Sequence, residues 1–161
     1  MSTLALKRYE RPLAYDGILA GIIAGVVVDA FLFATGVLSW PNSYNFIASG
    51  LVGKAALGSS AYVPLGIAIH FAISAGWGAL FGLTAQRYRQ VLAHPFISGL
   101  TFGLVVMVVM QLLLLATGMW RAPQSAGQVM LDIVAHTVFF GVPIAWYVNR
   151  AARRNRALSG P

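Results

Sequence analysis

Cysteine is absent from the 161-residue chain, which excludes disulfides, thiolate metal sites and cysteine nucleophiles together. Charge is scarce as well. Asp, Glu, Lys and Arg make up 9% of the residues, 58% are hydrophobic and the mean hydropathy is +0.75, whereas a soluble globular chain carries about 25% charged residues. Also missing are the motifs of ordinary catalysis. There is no G-x-S-x-G elbow, no H-E-x-x-H pair and no glycine-rich phosphate loop, so no catalytic residue is assigned and the chain reads as non-catalytic. The net charge of +7 does not point to nucleic acid, because the basic residues flank long apolar runs and leave no room for a nucleic-acid module. Attraction to anionic lipid head groups accounts for it.

What is present is apolar length. Residues 17–38, 63–83, 96–118 and 129–148 each reach the ~20 residues that a helix needs to cross about 30 Å of hydrocarbon. Lys7, Arg8, Arg11, Arg87, Arg89, Arg150, Arg153, Arg154 and Arg156 fall on one side of these spans, and Lys54 and Arg121 on the other. The bias predicts that both termini face the cytoplasm of a bacterial inner membrane. Trp40, Tyr62 and Trp120 then sit at the outer interface and Tyr15, Tyr88, Trp146 and Tyr147 at the inner one. Residues 42–60 mix apolar and polar side chains and are expected to form an interfacial amphipathic helix, with a re-entrant element as the alternative. The first apolar run is too long for a typical signal peptide. Its Ala34-Thr35-Gly36 recurs at Ala116-Thr117-Gly118, where cleavage makes no sense, so the first helix is read as retained.

The chain also repeats. Gly17 to Pro41 falls on Gly99 to Pro123 without a gap, and Val63 to Ala79 falls on Val129 to Ala145. The expected fold is therefore all-α: one transmembrane domain over residues 1–161, an integral membrane four-helix bundle built of two tandem parallel helix-pair repeats, about 17–83 and 99–148. Gly17, Gly21 and Gly25, Gly78 and Gly82, and Gly99 and Gly103 recur every four positions and predict faces where backbones approach closely, since apolar side chains gain little by touching in lipid. Pro143 predicts a kink in the last helix, because it frees a carbonyl one turn back near Phe139.

Within such spans the polar residues are the pointers to function. The alignment sets Asp29 on Gln111 and His70 on His136, and Asp132 stands one turn before His136 opposite the apolar-class Gly66. These five form an expected polar layer, and an ionisable group near mid-bilayer costs several kcal/mol unless it is paired or wetted. A carboxylate four residues from an imidazole can fix its tautomer. Three functions fit the layer: an accessory or assembly subunit whose polar groups only lock the helices, a proton or small-solute pathway in a homo-oligomer, and a b-type haem subunit with His70 and His136 as axial ligands and Lys54 and Arg121 receiving propionates. Zinc held by His70, His136, Asp132 and Asp29 is a weaker variant, as the spacing matches no compact ligand motif. The partners expected are the bilayer itself and either further copies of the chain or a larger membrane complex.

A glycine-rich first helix, His70 within Ile67-Ala68-Ile69-His70-Phe71 and His136 within Ile133-Val134-Ala135-His136 resemble the YagU-like group of small bacterial inner-membrane proteins. The resemblance spans about residues 15–150 and implies a four-crossing inner-membrane protein. It carries no biochemistry to transfer.

Overall fold

The computed structural model describes residues 12–119 and 125–158, so Lys7, Arg8, Arg11, Trp120, Arg121 and Pro123 lie outside the described residues. Among the described residues all regular structure is helical: α1 (Leu13–Ala34), α2 (Asn42–Val52), α3 (Val63–Arg87), α4 (Pro95–Ala116), α5 (Ala126–Val134) and α6 (Val142–Leu158). A π-helical segment, Ala135–Gly141, joins α5 to α6 in one continuous helix. Four helices are long and apolar enough to cross a membrane, at Leu13–Ala34, Ser60–Arg87, Pro95–Ala116 and Ala126–Ala157.

The repeated Ala-Thr-Gly has a structural meaning. Gly36 and Gly118 adopt φ of 73° and 70°, a left-handed conformation that costs other residues about 1–2 kcal/mol. Val37 N–H then bonds to the Leu32 carbonyl and Gly36 N–H to that of Phe33; Met119 and Gly118 repeat the pattern on Leu114 and Leu115. Both ends are Schellman caps, which return hydrogen bonds to carbonyls the helix leaves open. Thr35 and Thr117 add hydroxyl bonds to the Phe31 and Leu113 carbonyls, at 3.0 and 2.8 Å. They stop α1 at Ala34 and α4 at Ala116, short of the 38 and 118 expected from hydropathy.

Small residues set the helix contacts. A Cβ on Gly21 would lie 2.0 Å from the Ser74 carbonyl oxygen, and one on Gly78 would lie 2.0 Å from that of Gly17. Gly82 faces the Leu13 carbonyl at 2.3 Å in the same way. Gly25 differs, since it meets the Ser74 and Phe71 side chains rather than backbone. On the other pair, a Cβ added at Gly103 would lie 2.1 Å from the His136 carbonyl oxygen, one at Gly99 2.6 Å from Val142 Cα, and one at Gly141 2.1 Å from the Gly99 carbonyl oxygen. At all of these but Gly25 the side chain is absent so that backbones can touch, where dispersion holds them without a hydrophobic driving force.

These contacts correct the expected pairing of the histidines. Gly21 rests on Ser74 while its counterpart Gly103 rests on His136, so His136 occupies the place of Ser74, and Asp132, one turn earlier, that of His70. A gapless match among small apolar residues is a weak guide to register, because many offsets score alike. The π segment shifts the register further. Pro143 has no N–H for the Phe139 carbonyl, and Val142 N–H bonds back five residues to Thr137, so one extra residue enters the helix. The expected effect of Pro143 thus takes the form of a π segment.

Each long helix has a defined set of neighbours. α1 packs on α3 and on the π segment and α6, and α4 packs on the π segment and α6; Phe31 and Phe139 stack at 4.1 Å across the central pair. α3 and α4 meet through rings, with Phe102 at 5.0 Å from Phe81 and 6.1 Å from Trp77. On the side of the chain termini the core is mostly apolar, built from residues such as Leu13, Phe81, Leu92, Ile144 and Val148, with Asp16 of the first turn of α1 also buried. Asn149, buried there, donates to the Leu92 carbonyl and ties the α3–α4 turn to α6. Tyr15, Trp40, Tyr88 and Trp146 are exposed near the helix ends.

Candidate functional site

The polar residues of the spans gather in two groups. In the first, Asp29 of α1 and His70 of α3 stand with Oδ2 and Nε2 3.2 Å apart. The distance suits an ion pair, yet His70 Nε2 is shielded from solvent without an aligned hydrogen bond. Asp29 Oδ2 is instead satisfied by the Tyr44 hydroxyl of α2, which donates to it at 2.7 Å. Burial first, and the bond to Asp29 next, push the Tyr44 hydroxyl above the ordinary tyrosine pKa.

In the second group Gln111 of α4 donates its side-chain N–H to Asp132 Oδ2 at 3.0 Å. His136 Nδ1 lies 3.1 Å from Asp132 Oδ1 and 3.0 Å from the Asp132 backbone carbonyl. With Nδ1 held by these two acceptors, Nε2 is the imidazole atom left for other partners. Gln111 with Asp132 repeats the contact of Asp29 with His70, one polar residue of the first helix of each pair against one of the second. No hydrogen bond or ion pair joins the two groups among the described residues, so the expected single layer is two clusters.

A cavity of about 170 Å³ connects them. Its wall includes Asp29, His70 and Ser74 from one group's helices and His136 from the other, closed around by Trp77, Met110 and Phe140 among others. Its lining is mostly apolar, and Asp29, His70, Ser74 and His136 supply the polar side chains, against which a water would need two to four polar partners. It opens beside an apolar groove of about 420 Å³ between α2, α3 and α4, which shares Ile47, His70, Ile73 and Met110 with it. The opening exists because α3 and α4 do not pack backbone to backbone on this side.

Sequence reasoning located Asp29, His70, Gln111, Asp132 and His136 but missed Tyr44. α2 docks by setting the Tyr44 backbone on Gly66, where a Cβ would come within 2.0 Å of the Tyr44 carbonyl oxygen, and its buried face is Tyr44, Asn45 and Ala48. The short connection from Ala34 to Asn42 was the available signal, since it obliges the first turn of α2 to lie near the end of α1.

The haem arrangement meets a different geometry. Both histidines face carboxylates, His70 through the Nε2 that an iron would take and His136 through Nδ1. Lys54 lies in the 3₁₀ turn after α2. Among the described residues no group of three or more His, Asp or Glu side chains is found together. No known family, curated protein or solved structure matches this chain.

Proposed function

We propose that this chain is a bacterial inner-membrane protein with both termini cytoplasmic, a four-helix bundle of two tandem helix pairs, and that its polar clusters form a protonatable site on a proton or small-solute pathway. One observation carries the reading: Asp29, His70 and His136 share the wall of one half-open cavity. Groups that served only to lock helices together would gain by closing on each other in aligned hydrogen bonds, since an unpaired buried polar atom costs about 1–3 kcal/mol. His70 Nε2 is such an atom. Carboxylate and imidazole chains inside spans are the usual proton carriers.

The path is open toward α2, and its lining does not reach the mostly apolar core that holds Phe81 and Ile144. Transport through it therefore requires that core to part, or a second copy to complete the route, and a homo-oligomer is part of the proposal. Proton flux into liposomes holding the purified protein, measured across a pH range, tests it. Flux should fall with Asp29→Asn and with His136→Ala; flux unchanged by both sinks the pathway.

A second reading, an accessory subunit of a larger membrane complex, is favoured by α4. Only 17% of its apolar window is buried, the least of the four spans, which leaves a broad face for a partner helix. Purification in mild detergent from native membranes should then bring a stoichiometric companion, and isolation of the chain alone counts against it. Membership of the YagU-like group is proposed on the placement of His70 and His136 in their helices.

A further inference from the structure

Away from the helix ends the charged side chains are carboxylates. Asp29 and Asp132 lie within the helices and Asp16 is buried in the first turn of α1, whereas the described arginines, Arg87, Arg89, Arg150, Arg153, Arg154 and Arg156, lie toward the ends on the terminal side and Lys54 lies beyond α2. Asp29 is met by a tyrosine hydroxyl and an imidazole, neither of them a permanent cation. A buried carboxylate without a permanent counter-charge favours a cation brought in from outside.

The space beside it is shaped for more than a metal ion or a proton. The cavity that Asp29 lines offers the Trp77 and Phe140 rings, and aromatic faces attract organic cations. It continues past Ile73 and Met110 into the groove, whose walls are almost wholly apolar and include Met110 and Met119. Methionine side chains adapt to ligands of varied outline. The groove is within the size range of pockets that enclose drug-sized molecules.

We infer that the joined cavity and groove bind a lipophilic organic cation, with its charged centre beside Asp29 and its apolar body between α2, α3 and α4. The inference deepens the proposed pathway by naming a solute class, and it rests on Asp29 being reachable from the cavity. Charge complementarity selects this occupant: a fatty-acid anion would bring a second negative charge to a carboxylate, and a neutral lipid chain would leave it uncompensated.

The test uses the full chain in nanodiscs of zwitterionic lipid and two probes of nearly equal shape and opposite charge, tetraphenylphosphonium and tetraphenylborate, with binding read by equilibrium dialysis. The phosphonium should bind saturably at one site per chain and the borate should not. Asp29→Asn should weaken the phosphonium about tenfold or more, the loss expected when about 1.4 kcal/mol of charge pairing is removed. Ile73→Trp, which fills the junction of cavity and groove without touching a charge, should weaken it as well and serves if the first variant fails to fold. Equal binding of the borate, no saturable phosphonium binding, or phosphonium affinity unchanged in a folded Asp29→Asn or Ile73→Trp protein overturns the inference. Asp29-dependent proton flux without phosphonium binding overturns the solute class and leaves the pathway standing; binding without any Asp29-dependent flux does the reverse.

Discussion

Replacing Gly21 by alanine tests the physical basis of the α1–α3 contact. The added Cβ would lie 2.0 Å from the Ser74 carbonyl oxygen, where 3.4 Å is ordinary contact, so the helices must separate by about 1.4 Å at that level. Ser74 contributes backbone here, and backbone cannot swing aside as a side chain can. Gly17 and Gly78 lie on the same seam, where a Cβ on either would come within 2.1 and 2.0 Å of the other's carbonyl oxygen, so separation at Gly21 strips contacts along its length. A gap of about 0.5–1 Å already forfeits a quarter to a half of a dispersion well, and overpacking costs about 1–3 kcal/mol. Gly21→Ala should fall near the upper end, about 2–3 kcal/mol. Gly76→Ala is the control, because Gly76 lies in α3 with nothing within 4 Å of its Cβ position; it should be neutral or stabilising by up to about 1 kcal/mol. Unfolding in nonionic micelles titrated with dodecyl sulfate, followed by far-ultraviolet circular dichroism, gives both values. The chain holds no cysteine, so cysteines introduced on α1 and α3 also report the helix spacing by crosslinking without background. Equal midpoints for the two variants would refute backbone contact as the origin of the glycine spacing.

Three further outcomes follow from the same structure. Because the folded pKa of Tyr44 is raised, its contribution to stability is fully present below the unfolded value of about 10 and is lost as pH rises above it; unfolding midpoints taken upward from pH 8 should show that loss, and Tyr44→Phe should flatten it, an unchanged slope counting against the buried bond to Asp29. Gly36→Ala and Gly118→Ala should each cost about 1–2 kcal/mol, the strain of a left-handed residue with a Cβ, and thermal stability equal to wild type would show that the caps do not hold α1 and α4. Asn149→Ala should cost about 1–3 kcal/mol by leaving the buried Leu92 carbonyl unpaired, and amide exchange should then quicken in the α3–α4 turn before the rest of the protein.

The spans were legible because they depend on composition over some 20 residues, and the packing faces because only glycine and serine let backbones touch in lipid. Gly17, Gly21, Gly78, Gly82, Gly99 and Gly103 face backbone, while Gly25, singled out by the same spacing, faces the Ser74 and Phe71 side chains. Register was not legible. Helix identity among Val, Ile, Leu and Ala is nearly degenerate, and a π segment adds a residue that no gapless alignment contains, so His70 was matched to His136 when contacts match it to Asp132. Tyr44 escaped because its role depends on where α2 docks, a tertiary outcome that amphipathicity along the helix does not encode. The Ala-Thr-Gly repeats were visible but weighed as cleavage signals; the apolar residues after each glycine, Val37 and Met119, are the mark of a Schellman cap.

Those caps have a further consequence for the bilayer. They leave α1 and α4 at 22 residues each, or about 33 Å, against a hydrocarbon core of about 30 Å. The surplus allows a tilt of about 25° and little more before apolar side chains meet water. Because the same glycine stops both helices at the same length, a change in membrane thickness loads them equally. A thinner membrane therefore leans α1 and α4 further by the same amount, each against the neighbour its glycines grip, and the ungripped seam between α3 and α4 is where that strain is relieved.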